Sequence, residues 1–235
     1  MGRITTSGAV TIYPISSGSP DNIVVGPDGA LWFILDVPDD LGGGSIGRIT
    51  TSGVLTFYTG RPGVDFPTGI TSGPDGALWY TNDGHWVGNN LVDQSIGRIT
   101  TSGAITTYPT GVTGGSEGPV AITTGPDGAL WFANYGSANF IGRITTSGAV
   151  TTYAPPGGRF GPLTGPVAVT FGPDGALWMA NFGNPGSIGR MTTSGVYTSY
   201  TNPGIDGPFG ITTGPDGAMW FTSMSNDAIG RITPP

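Results

Sequence analysis

The chain has 235 residues, 44 of them Gly and 21 Pro, with 37% hydrophobic and no Cys, so disulfide scaffolds and thiolate metal sites are excluded while turns must recur at short intervals. Eight Arg and no Lys face 15 acids for a net charge of −7, which leaves no basic stripe for nucleic acid, and the single His rules out any site needing two imidazoles from one chain. No apolar run approaches the roughly 20 residues of a membrane-spanning helix, so no membrane partner is expected.

In chain order, Gly-Arg-Ile-Thr at residues 2–5 is followed by a β-branched strand at 9–13 (Ala-Val-Thr-Ile-Tyr). Two phrases then alternate. Gly-Pro-Asp-Gly-Ala starts at Gly26, Gly73, Gly125, Gly172 and Gly214, each with a Trp six positions on: Trp32, Trp79, Trp131, Trp178 and Trp220. Gly-Arg-(Ile/Met)-Thr recurs at Gly47, Gly97, Gly142, Gly189 and Gly230. Residues 120–125, 129–134, 141–145 and 149–153 of the third unit read as strands A to D. Pro-Asp-Gly and Thr-Ser-Gly supply the A–B and C–D turns. Four strands per unit, with no helical periodicity, predict an all-β, five-bladed β-propeller of four-stranded antiparallel blades, with 1–235 as a single domain. The blades fall at about 21–58, 68–108, 120–153, 167–200 and 209–233. The last lacks strand D, and residues 9–13 are expected to supply it, closing the ring in the manner of a clasp. The five repeated Trp are the expected core.

The phrases Gly-Pro-Asp-Gly-Ala-Leu-Trp-Phe and Ile-Gly-Arg-Ile-Thr-Thr-Ser-Gly-Ala-Val-Thr resemble the blades of the virginiamycin B lyase (streptogramin B lyase) family, over nearly the whole chain. That resemblance implies a seven-bladed propeller that opens a cyclic depsipeptide lactone by elimination, with a His and a Glu near the channel mouth and Mg²⁺. The places matching the family's strand-A His hold Asp21, Thr68, Val120, Val167 and Phe209. Those matching the acid after strand B's Trp-Phe hold Leu35, Asn82, Asn134, Asn181 and Ser223. Neither set supplies the base or the acid, so catalysis by the family's route is not expected.

The A–B and C–D turns share one face of a blade and are nearly invariant here, whereas the D–A and B–C loops on the other face vary in length and residue type. A grafted site belongs on the variable face. Its loops carry Asp36, Asp39, Asp40, Asp65, Asp83, His85, Trp86, Asn89 and Asp93, with Asn82, Asn134 and Asn181 at the ends of strand B. Asp39, Asp40, Asp83 and Asp93 are the candidate metal ligands, for Ca²⁺ held by carboxylates and carbonyls. Trp86, the one Trp outside the repeat, suits stacking on a sugar. His85 and Glu117 form the one conceivable acid/base pair. Against these stand plainer roles: solvated acidic loops, a surface His, and Asn side chains that satisfy turns. Three functions fit: a non-catalytic binding or scaffold module without cofactor, taking a small polar ligand or carbohydrate; a divergent Mg²⁺-dependent lyase; and an amplified or engineered repeat without a ligand. A monomer and a secreted bacterial setting are the accompanying expectations.

Overall fold

A computed structural model describes residues 1–16, 18–37, 43–61, 63–111, 118–136, 139–154, 165–183 and 185–235. It opens with β1 (Gly2–Ile4) and β2 (Val10–Ile12), then β3 (Ser19–Val25), β4 (Leu31–Asp36), β5 (Ser45–Ile49) and β6 (Leu55–Thr59). The next unit is β7 (Pro67–Ser72), β8 (Leu78–Asn82), the short β9 (His85–Val87) and β10 (Asn90–Val92), β11 (Ser95–Ile99) and β12 (Ile105–Pro109). After it come β13 (Pro119–Thr124), β14 (Leu130–Asn134), β15 (Phe140–Ile144) and β16 (Val150–Tyr153), then β17 (Pro166–Phe171), β18 (Leu177–Asn181), β19 (Ser187–Met191) and β20 (Tyr197–Tyr200). The last three strands are β21 (Pro208–Thr213), β22 (Met219–Ser223) and β23 (Ala228–Ile232), with one 3-10 turn at Met224–Asn226. Four antiparallel meanders of four strands form, β3–β6, β7-β8-β11-β12, β13–β16 and β17–β20, followed by the three-stranded β21–β23. This is the all-β propeller architecture that the repeat predicts. No helix among the described residues is long and apolar enough to cross a membrane.

The two repeated phrases lock each blade at the framework face. In the first, Asp28 Oδ1 accepts the Trp32 indole N–H at 3.0 Å while Asp28 Oδ2 accepts from Arg48 Nε at 2.7 Å. The Arg48 guanidinium lies 5.9 Å from the Trp32 ring centroid, within cation–π range. Asp75, Asp127, Asp174 and Asp216 repeat both hydrogen bonds with their own Trp and Arg. Burial pushes the Asp28, Asp75, Asp127 and Asp174 carboxyls up, but their Trp and Arg hydrogen bonds outweigh it and leave all four below the usual carboxylate range. At Asp216 the Trp220 hydrogen bond, then that of Arg231, holds the carboxyl at about 2.

Blades join through aromatic seams. Tyr58, Tyr108, Tyr153 and Tyr200 each stack on the Trp of their own blade, with centroids 5.5, 5.5, 5.3 and 5.6 Å apart. Such pairs contribute roughly 0.5–1.5 kcal/mol beyond area burial. Tyr58, Tyr108 and Tyr153 also press against the turn glycine of the following blade, Gly103, Gly148 and Gly195, where a Cβ would clash. Across each seam the Trp of one blade shares a core with strand B of the next: Trp32 with Leu78 and Tyr80, Trp79 with Leu130 and Phe132, Trp131 with Leu177 and Met179, Trp178 with Met219 and Phe221.

The ends depart from expectation. Residues 9–13 do not complete the last blade, because β2 pairs with β1 in register Gly2↔Ile12 to Ile4↔Val10. A short turn joins these two strands, so their pairing needs far less loop closure than a bond to the other end of the chain. This hairpin supplies strands C and D of a half-blade standing before the first full blade. Tyr13 accordingly meets Gly53 as the later tyrosines meet theirs, and it packs with Met1 and Ile15 on the Phe33 and Leu35 cluster. At the other end Trp220 is 37% exposed, unlike the four buried Trp, so it is not the core residue the repeat predicts.

Candidate functional site

The first strand of each of the five units carries a register shift within two residues after its Pro. The ladder skips Thr68, Val120 and Val167 in β7, β13 and β17, Asn22 in β3, and Phe209 with Gly210 in β21. A bulge re-aims its residue away from the regular ladder, and these positions converge on one cavity of about 520 Å³. It is lined by Asp21, Thr68, Val120, Val167 and Phe209, the five places that match the family's strand-A His, together with neighbours such as Asn22, Ile70 and Val169. The D–A loops lead directly into these residues, so the cavity belongs to the variable face. Its wall is mainly apolar. Asn22, at φ 37°, donates from Nδ2 to the Thr68 carbonyl, and Thr68 Oγ1 donates to the Pro119 carbonyl, so polar side chains tie neighbouring blades at the rim.

The strand-end amides do not line this cavity. Asn82, Asn134 and Asn181 are fully buried. Asn82 Oδ1 accepts from the Asp65 backbone N–H at 3.1 Å, and its Nδ2 donates to the Gly63 carbonyl and to Ser95 Oγ. Asn181 Nδ2 donates to Ser187 Oγ and to the Tyr197 hydroxyl. In the last blade Ser223 Oγ accepts from the Asp206 N–H, so the same position again fastens the loop that enters its blade. Asn82 and Ser223 thus fasten the loops that enter their blades, while Asn181 ties strands of its own blade together. Asp83 is likewise structural, since its Oδ1 accepts the Gly118 backbone N–H of the next blade's entry.

A second polar group forms on the second blade. Asp65, in the D–A loop, has a side chain 1% exposed; its Oδ1 accepts from Arg61 Nε at 2.7 Å and its Oδ2 lies 2.6 Å from His85 Nδ1. A carboxylate accepts only, so Nδ1 carries a proton, and in the neutral ring Nε2 is then the lone-pair nitrogen. His85 opens the β9–β10 hairpin, an insertion in the B–C loop, and pairs with Val92; Asp93 follows at φ 62°. One ligand atom from each of Asp65, His85 and Asp93 falls within 4.8 Å of the others.

The remaining expectations divide. Trp86 is 53% exposed and pairs with Leu91. Successive strand residues point to opposite sides, so Trp86 and His85 do not face one ligand. Asn89 is exposed in the hairpin turn, and Asp36 is exposed at the end of β4. Asp39, Asp40 and Glu117 lie outside the described residues, and with them the expected Asp39–Asp40 cation site and the His85–Glu117 pair. Sequence reasoning placed Asp65, His85 and Asp93 on one face but did not join them. Arg61, four residues before Asp65 in the same loop, was the overlooked signal.

The comparisons bear on this geometry directly. The model of the virginiamycin B lyase family matches residues 1–185 and 161–235. The chain belongs to the virginiamycin B lyase family. Among solved structures it is similar to selenomethionine-substituted virginiamycin B lyase from Staphylococcus aureus, at 35% identity and TM-score 0.78 over 99% of this chain and 76% of that one. A catalytically inactive His-to-Ala variant of the Staphylococcus aureus lyase, solved with quinupristin, matches at 34% identity and TM-score 0.77, with 99% and 76% covered. A streptogramin B lyase matches at 29% identity and TM-score 0.77, covering 100% and 76%. No curated protein sequence matches the chain.

Proposed function

We propose that this member of the virginiamycin B lyase family is a non-catalytic binding module, a five-unit propeller scaffold that holds its ligand at the variable-face cavity without cleaving it. The observation that carries this reading is the lining of the cavity: the five strand-A positions bring together Asp21, Thr68, Val120, Val167 and Phe209, with no imidazole among them. Proton abstraction needs a base within reach of the substrate, and the lining offers only the Asp21 carboxylate, which accepts from the Asn22 backbone N–H. An apolar wall with a few polar groups at the rim suits a ligand with a sizeable apolar body and some hydrogen-bonding edge, better than a sugar. The relative solved with quinupristin is catalytically inactive, which supports binding as separable from turnover in this family. Cyclic depsipeptides of the streptogramin B class are therefore the first ligands to try.

The test is calorimetric titration of the protein with quinupristin, with mass spectrometry of the mixture after prolonged incubation with Mg²⁺. Binding with unchanged ligand mass is expected, weakened at least tenfold by Phe209→Ala. Mg²⁺-dependent appearance of a linear product would overturn the reading in favour of a divergent lyase. One observation favours that second reading, the Asp65-oriented imidazole of His85; product formation abolished by His85→Gln would establish it.

A further inference from the structure

Among the described residues only the second blade carries a hairpin, β9–β10, between its second and third strands, and it bears the chain's one His. We infer that His85 and Asp93 on this hairpin, with Asp65 beneath them, form a binding site for a first-row divalent transition metal ion of the Zn²⁺ type. The site is independent of the cavity and of any ligand held there.

Three features carry the assignment. His85 gives its Nδ1 proton to the buried Asp65 carboxylate, which fixes both the tautomer and the ring orientation. Metal-bound imidazoles are held in this way by a carboxylate on their other nitrogen. Nε2 makes no hydrogen bond to any protein group among the described residues, so in the neutral ring that nitrogen can take an ion, and the side chain's exposure of 19% leaves access. Asp93 follows directly on Val92, the cross-strand partner of His85, and an atom of its carboxylate lies within 4.8 Å of a ring nitrogen of His85 and of an Asp65 carboxylate oxygen. A two-residue turn sets that pairing register, so hairpin geometry rather than chance proximity places the two groups together.

Charge and ligand type then select the ion. Arg61 offsets the Asp65 charge, so Asp65 acts as the support that orients His85, while His85 Nε2 and the Asp93 carboxylate are the direct ligands. One nitrogen and one carboxylate suit Zn²⁺, Co²⁺, Ni²⁺ or Cu²⁺, whereas Ca²⁺ and Mg²⁺ favour all-oxygen sets. Two protein ligands leave coordination positions for water. The net charge of −7 favours cation approach in general.

The test uses chelator-stripped protein titrated with Co²⁺, followed by its visible ligand-field absorption, and then Zn²⁺ competition. One saturable site per chain is expected, displaced by Zn²⁺ and untouched by equal concentrations of Ca²⁺ or Mg²⁺. Asp93→Asn removes a charged ligand while keeping a residue that tolerates positive φ, so near-UV dichroism should stay unchanged while Co²⁺ affinity falls at least tenfold. His85→Gln should abolish the absorption band, and Asp65→Asn should weaken binding about 10–100-fold by freeing the ring. If either of those two variants misfolds, Asp93→Asn decides alone. No saturable Co²⁺ or Zn²⁺ binding by the wild type, equal binding by Asp93→Asn, or preference for Ca²⁺ over Zn²⁺ would each overturn the site.

Discussion

Trp178 and Trp220 occupy the same place in the same phrase, yet one is fully buried and the other 37% exposed. Both donate their indole N–H to the Asp four residues earlier, and both lie about 6.0 Å under their Arg. What separates them is the neighbour. Trp178 stacks on Tyr200 and shares a core with Met219 and Phe221 of the following blade, whereas Trp220 has neither a fourth strand nor a following blade against it. The Asp174–Arg190 pair is correspondingly better shielded than Asp216–Arg231, with side-chain exposures of 12% and 17% against 37% and 45%. Local sequence therefore makes the hydrogen bonds, and the next repeat makes the burial.

Substitution at the two Trp gives the largest expected contrast. Trp178→Ala should cost roughly 3–5 kcal/mol, the usual range for a buried aromatic. Trp220→Ala should cost less than half as much, read from urea unfolding midpoints of the two variants side by side. Equal costs would mean that the end blade is covered in solution. A smaller contrast comes from glycine: a Cβ at Gly142 would fall within the Phe132 ring, and one at Gly230 within the Phe221 ring. Gly142→Ala should cost about 1–3 kcal/mol by overpacking. Gly230→Ala, in a strand with an open outer edge, should cost visibly less because β23 can shift.

The smallest effect is on acid stability. A carboxyl whose folded pKa lies below its unfolded value adds stability that is fully present above the unfolded pKa and is lost as pH falls through the folded one. With five such Asp, melting temperature should hold down to about pH 4, the ordinary Asp range, and then fall, with Asp216 protonating at about 2. Asp127→Asn should flatten that acid limb more than Asp216→Asn does, since the exposed pair at the end is screened by water. Thermal scans between pH 6 and 2 decide it, and identical acid limbs for the two variants would contradict the shielding argument.

Much of the scaffold was legible because its phrases recur at fixed offsets. Strands, turns and the framework role of the repeated Asp and Arg all follow from them, and in the structure the same Asp also accepts the Trp indole. Closure was misjudged for a physical reason: counting strands treated residues 9–13 as a free fourth strand, although residues 2–5 stand one short turn away and pair with them first. The site was half legible. Sequence put Asp65, His85 and Asp93 on the variable face, but their meeting depends on an inserted hairpin that returns Asp93 beside His85, and strand pairing inside a loop of 83–94 leaves a weak pattern. Asn82 holds its own entry loop, the plainer of its two sequence readings, and a polar residue ending a strand looks alike in sequence whether it does that or faces a ligand.

Three seams of this molecule are written with the same letters, a tyrosine of one unit on a Thr-Ser-Gly glycine of the next and a tryptophan against the next second strand. Insertion or loss of one whole unit by recombination therefore creates no new interface to be solved, since the flanking units meet as the old ones did. Blade number in such a chain is a heritable length that can change in single steps, while the loops of each unit remain free to diverge, as the hairpin of the second blade has done.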